Sequence, residues 1–131
     1  DAQILLISGQ ADTGIVEGLR KKVRDNIVLV DQLPLPIVAA IIKRCKLFVG
    51  NDSGITHLAA AGGTPTISIF GPTDPSMWGP RGERVKIFYR KSPCSPCSFD
   101  TRRNCFSKIC VEGVTVEDVI SEIRYIKQHS L

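Results

Sequence analysis

Aromatic side chains are scarce, 6% of the 131 residues, with one Trp and two Tyr. None alternates with basic residues, so the stacking platform that a single-stranded nucleic acid needs is missing, and nucleic acid is not expected as a partner. Long apolar runs are missing too: none approaches the ~18 residues of a membrane-spanning helix. The opening Asp1-Ala2-Gln3 carries no basic residue and is not read as an intact signal peptide. Neither an internal repeat nor a low-complexity segment is present.

What remains is the mix of an ordinary globular domain, 43% hydrophobic and 23% charged. The length suits one domain or a piece of a larger enzyme. The net charge of +4 is unevenly placed. Between residues 81 and 110 stand Arg81, Arg84, Lys86, Arg90, Lys91, Arg102, Arg103 and Lys108 against Glu83 and Asp100, so that stretch is +6 and the remainder −2. Such a segment is either a solvated basic loop or a surface for phosphates or an anionic membrane.

Four short apolar runs read as buried strands: Ile4-Leu5-Leu6-Ile7, Ile27-Val28-Leu29-Val30, Leu47-Phe48-Val49 and Pro65 to Phe70. Helical spacing separates them. Ile15, Val16, Leu19 and Val23 make one stripe, with Asp12 or Thr13 as N-cap. Ile37, Val38, Ile41 and Ile42 make a second, opened by Pro34 and Pro36, and the Ala-rich segment Ile55 to Ala61 a third, stopped by Gly62-Gly63. This alternation predicts a parallel, Rossmann-like α/β sheet with helices on both faces. Val85 to Tyr89 reads as an edge strand, residues 71–82 and 90–114 as loops. A last helix follows Thr115, with Thr115 and Asp118 at capping-box spacing and Val116, Val119, Ile120, Ile123 and Ile126 on one face. Met77 and Trp78 read as loop packing or as substrate contacts, Trp78 by stacking on a sugar face from the cleft rim.

Ligands of open parallel sheets bind at the carboxyl ends of the strands, and two loops there are chemically loaded. Gly50-Asn51-Asp52-Ser53-Gly54-Ile55-Thr56-His57 leaves a strand and enters a helix. Amides at the helix start, a glycine that lets the backbone approach and the Ser53 hydroxyl suit a diphosphate. The alternative is an ordinary cap with a half-buried His57. Phe70-Gly71-Pro72-Thr73-Asp74-Pro75 forces a turn where Thr73 offers a hydroxyl and an amide, or is a plain turn.

Together, Asn-Asp-Ser-Gly-x-x-His-Leu-Ala-Ala-Ala, Gly-x-Pro, Phe-Gly-Pro-Thr-Asp-Pro and Trp78-Gly79-Pro80 closely resemble the signature of the ADP-heptose:lipopolysaccharide heptosyltransferases, glycosyltransferase family 9. Ile4 to Leu19 and Cys94-Ser95-Pro96-Cys97 with the final helix extend the likeness over nearly the whole chain. The resemblance implies the C-terminal half of a two-domain GT-B enzyme that binds the nucleotide sugar. The other domain would bind the lipid acceptor and carry the catalytic base, so no catalytic residue is expected here. It implies inverting transfer of heptose from ADP-heptose to the lipopolysaccharide inner core, in the bacterial cytoplasm and peripheral to the inner membrane, without a metal. By the same resemblance Asp52, Ser53, Gly54, His57 and Thr73 hold the diphosphate and its sugar. Asp12, or Gln10 if the alignment slips, reaches the ribose, and Leu33 lines the adenine.

The family's domain opens with a further strand and helix, so residues 1–131 are expected to be one incomplete nucleotide-sugar domain with an exposed sheet edge and no transfer activity alone. The other readings are a non-catalytic nucleotide or interaction module derived from such an enzyme, and a transferase of another nucleotide sugar. Cys45 ends a helix and reads as a small buried residue. Cys94-x2-Cys97-x7-Cys105-x4-Cys110 places four thiols in a basic loop, either as a thiolate zinc site or as free or adventitiously oxidised thiols; the x7-x4 spacing fits no familiar zinc pattern and favours the latter.

Overall fold

The structure, a computed structural model, describes residues 2–23 and 27–129. The chain divides into two compact units, Asp1–Ile41 and Ile42–Leu131.

In the first unit, β1 (Ile4–Ser8) leads through a single 3₁₀ turn (Gln10–Asp12) into α1 (Thr13–Lys22) and then β2 (Ile27–Asp31). The two strands pair in parallel, from Ile4 opposite Ile27 to Ser8 opposite Asp31. Of the apolar stripe on α1 only Val16 is buried, whereas Ile15, Leu19 and Val23 are exposed. Helix α2 (Leu35–Lys43) starts where the prolines place it. The Pro34 carbonyl accepts the amides of Ile37 at 2.9 Å and Val38 at 3.1 Å, and Pro36 has no amide to leave unpaired in that first turn.

In the second unit, β3 (Phe48–Asn51), α3 (Gly54–Ala61), β4 (Thr66–Phe70), α4 (Pro75–Trp78), β5 (Val85–Tyr89), α5 (Phe99–Arg103), α6 (Ile109–Glu112) and α7 (Val116–His129) follow one another. The sheet order is β3-β4-β5, all parallel. Central β4 is buried at Thr66, Ile67, Ser68 and Phe70. Successive residues of a strand face opposite sides, so both faces of β4 are covered. Helices α3 and α6 both pack on β4. Thr66 Oγ1 donates to the Thr64 carbonyl at 2.8 Å, while Ser68 Oγ is buried without a hydrogen-bond partner among the described residues.

The parallel α/β class is as the sequence pattern implies. Four details differ. The turn-rich segment 71–82 contains α4, because Asp74 caps it by accepting the Ser76 amide at 2.8 Å and Pro75 opens it. Segment 90–114 holds α5 and α6, each too short to show a helical period. The face assigned to α7 is only half used: Val119, Ile123 and Ile126 are partly buried, whereas Val116 and Ile120 are exposed. Met77 and Trp78, read as packing, are 71% and 59% exposed.

Candidate functional site

The carboxyl ends of the neighbouring strands β3 and β4 carry the two loaded loops. After Asn51 the chain passes through Asp52 and an extended Ser53 into α3. Thr56, fully buried on the first turn of that helix, fixes the junction. Its hydroxyl donates to the Asn51 carbonyl at 2.5 Å and lies 3.2 Å from Ser53 Oγ. Gly50 has to be glycine for the same reason: a Cβ there would lie 2.6 Å from the Phe48 ring and 2.7 Å from Thr56 Oγ1. Gly54 is different, since a Cβ on it would meet nothing within 4 Å. The fold does not demand glycine at this position; the residue leaves an open approach to the helix start. No side chain caps α3, and no described residue accepts the amides of Gly54 and Ile55. These are the unspent donors that favour an anion.

At the end of β4, Gly71 and Pro72 turn the chain to Thr73, whose Oγ1 donates to Asp52 Oδ2 at 2.6 Å. The two loops are therefore joined. Asp52 and Thr73 are partly buried, while Ser53, Gly54 and His57 are exposed. The His57 ring makes no hydrogen bond to any described residue. One amide away from Thr73, Asp74 is spent on α4, and the Ser76 donors hold its carboxyl below the ordinary range.

Gln10, Asp12 and Leu33 belong to the first unit. All three are exposed. The Asp12 carboxylate does not cap α1; it turns back to accept the Gly9 amide at 2.9 Å. A carboxylate that the sequence reading passed over, Asp31, stands at the end of β2. It accepts from Ser8 Oγ at 2.7 Å and from Gln32 Nε2 at 3.3 Å. An acid ending the second strand, 22 residues past Gly9, was a visible signal in a parallel pair.

A second residue the sequence did not disclose is Ser95. Its buried hydroxyl donates to the Gly71 carbonyl at 2.7 Å and lies 3.0 Å from the Tyr89 hydroxyl. It sits in the Cys94-Ser95-Pro96-Cys97 turn, whose Ser95-Pro96 bond is cis. The Cys97 amide adds a bond to the Pro72 carbonyl at 2.7 Å. The thiol-bearing segment is thus fastened to the turn that presents Thr73. Burial, then the neighbouring cysteines, push the Cys97 thiol up, whereas the Lys108 amide and the Ser107 hydroxyl and amide hold Cys105 down. All eight basic residues between Arg81 and Lys108 are exposed. Two pair with α7: Lys86 with Glu122 at 3.6 Å and Arg90 with Asp118 at 3.3 Å. No helix among the described residues is long and apolar enough to cross a membrane.

Residues 1–106 match the family model of glycosyltransferase family 9 (heptosyltransferase). Lipopolysaccharide heptosyltransferase 1 of Pseudomonas aeruginosa is 33% identical over 94 residues, covering 72% of this chain and 24% of that protein. Lipopolysaccharide heptosyltransferase 3 of Escherichia coli K12 is 39% identical over 83 residues, covering 60% of this chain and 24% of that protein. The chain thus spans about a quarter of the length of these curated relatives. Two solved structures share the fold at a TM-score of 0.80. One is a family 9 glycosyl transferase from Veillonella parvula, 20% identical, covering 95% of this chain and 36% of that one. The other is the Escherichia coli ADP-heptose lipopolysaccharide heptosyltransferase II, 18% identical, covering 98% and 38%. With the parallel sheet, the two joined strand-end loops and a match running through both, the chain belongs to glycosyltransferase family 9, the heptosyltransferases.

Proposed function

We propose that this chain is the donor-binding part of a GT-B heptosyltransferase that transfers heptose from ADP-heptose to the lipopolysaccharide inner core with inversion. The observation that carries the reading is the Thr73–Asp52 hydrogen bond. It joins the ends of two adjacent parallel strands beside a helix start whose first amides are unspent. The amides of Gly54 and Ile55 and the Ser53 hydroxyl would take the diphosphate. A carboxylate repels phosphate but accepts from hydroxyls, so Asp52 would take the sugar, its Oδ2 already oriented by Thr73. His57, one turn into α3, would add a donor to the phosphates. Gln10, Asp12 and Leu33 are proposed as nucleoside contacts on the resemblance alone.

The reaction requires an acceptor hydroxyl to attack the anomeric carbon as the bond from that carbon to the diphosphate oxygen breaks. ADP leaves with the electron pair, and a base outside this chain takes the hydroxyl proton. Negative charge grows on the departing diphosphate, where fixed amides stabilise it without reorganising. With donors of that kind in place, no metal is required at the donor. On the same reading the acceptor would be lipid-anchored, and the enzyme would work in the cytoplasm against the inner membrane.

Calorimetry with ADP, GDP and UDP, each free and as the sugar, tests the reading. Binding of ADP and ADP-heptose is expected, both weakened at least about tenfold in Gly54→Ala, and that of ADP-heptose but not of free ADP weakened in Asp52→Asn. Binding of UDP without ADP overturns the adenine assignment, and no nucleotide binding by a folded protein overturns the donor site.

A further inference from the structure

Four of the five cysteines face one cavity. Cys94, Cys97, Cys105 and Cys110 line a space of about 190 Å³ together with Arg102 and Lys108. The sulfurs come from three separate pieces of chain: the cis-proline turn, the segment after α5, and α6.

The segment around them lacks a core of its own. Phe99, Phe106, Ile109 and Val111 are all exposed, and Phe106 is 98% so. Ser95 and Cys110 are its buried residues. A stretch that buries so little apolar surface needs a cross-link to hold one shape, and gathered thiols supply either disulfides or a metal. All four are free thiols here.

The charges around the sulfurs favour the metal over disulfides. Four thiolates around a divalent ion leave a net charge of −2, and Arg102 and Lys108 on the cavity wall offset it.

We propose that Cys94, Cys97, Cys105 and Cys110 bind one zinc ion as a tetrahedral four-thiolate site that clips this segment against the turn at Gly71–Thr73. Four thiols lose four protons and form four zinc–sulfur bonds, with no change of oxidation state. Among the described residues no three Cys, His, Asp or Glu side chains are gathered closely enough to hold an ion as they stand. Closing the site takes rotation of thiol side chains: a change of staggered χ1 well carries a sulfur about 3 Å. Cys94 is exposed and gives the ion its way in.

The clip reaches the donor loop through short links. The Cys97 amide holds the Pro72 carbonyl at 2.7 Å, Ser95 Oγ holds that of Gly71 at 2.7 Å, and a Cβ on Gly71 would lie 2.5 Å from Val111 Cγ2. Thr73 is the next residue in the chain. An effect of zinc on donor binding rests on the function proposed above; zinc binding itself does not.

The test is elemental analysis of the protein purified under reductant without chelator, and cobalt loading of the metal-free form. One zinc per chain is expected, as are the near-ultraviolet thiolate-to-cobalt charge-transfer band and intense visible bands of tetrahedral cobalt. Cys94→Ser and Cys105→Ser, at exposed or half-exposed positions, should each weaken zinc retention by about tenfold or more against a competing chelator, and Cys45→Ala should not. The cobalt spectrum of the unsubstituted protein depends on no variant folding. Folded protein with neither zinc nor the cobalt bands, iron in its place, disulfides among these cysteines, or serine variants that keep their zinc would each overturn the proposal. Zinc present in a protein that binds no nucleotide sugar would uphold the clip and remove the donor reading.

Discussion

Thr73 and Asp52 are 21 residues apart in sequence, yet Thr73 Oγ1 lies 2.6 Å from Asp52 Oδ2 and donates to it. The bond fixes the rotamer of a carboxylate at the mouth of two parallel strands and leaves its other oxygen to accept. Thr73→Val keeps the shape and removes the donor. Its expected effect is about a tenfold loss of ADP-heptose affinity, the size of one hydrogen bond to a charged group, with little change in melting temperature. Calorimetry beside thermal unfolding checks this. A collapsed melting temperature with normal binding per folded molecule would make the bond purely structural.

Gly50 and Gly54 make an internal control, four residues apart. Gly50→Ala drives a methyl into Phe48 and buried Thr56 and should cost about 1–3 kcal/mol of stability. Gly54→Ala meets no protein atom, so the melting temperature should hold while donor affinity falls at least about tenfold, because the methyl stands before the helix-start amides. Denaturant titration separates the two. Equal destabilisation by both would remove the argument that Gly54 faces a ligand.

The strands and the three long helices before β4 were legible because each is an apolar run or stripe bounded by Gly, Pro or a polar turn. Helices α4 to α6 were not, being four or five residues each. Residue types at the donor loops could be named from the motif, but not which of them touch. Nothing in the sequence says that Thr56 is buried beneath Ser53, or that Ser95 holds Gly71, because both depend on contacts across the fold. Burial on α7 follows the same rule. Val116 and Ile120 lie on the periodic stripe and are exposed, since the surface that α7 covers is narrower than the stripe.

The capping box on α7 should be visible in the pH dependence of stability. The Thr115 amide donates to Asp118 Oδ2 at 3.0 Å and the Asp118 amide to Thr115 Oγ1 at 3.1 Å. Thr115 first, then Arg90, hold the Asp118 carboxyl below its ordinary value. With the folded value depressed, the stabilisation is complete above the unfolded value near ~4 and is lost as pH falls through the folded one. Asp118→Ala should therefore melt lower than the unsubstituted protein at neutral pH, and the gap should close in acid. A gap independent of pH would assign the loss to packing.

The exposed basic segment predicts salt-sensitive binding to vesicles containing anionic lipid, each basic residue contributing roughly 1 kcal/mol near the surface. Lys91→Glu with Arg103→Glu should weaken it several-fold and leave free ADP affinity unchanged. Sedimentation with vesicles at two salt concentrations reads both effects. Binding indifferent to salt and to the double substitution would leave a solvated loop.

The two ion pairs between β5 and α7 set an order in time. Lys86 meets Glu122 and Arg90 meets Asp118, so the helix runs antiparallel to the strand it is pinned to. At a synthesis rate of about 5–20 residues per second, that strand leaves the ribosome roughly 2–8 seconds before its helix is complete. For those seconds Phe88, which shares the strand face of Lys86, stands without its cover. Lys86 and Arg90, the residues that later hold the helix, meanwhile place positive charge on that edge strand and keep other nascent strands from pairing with it.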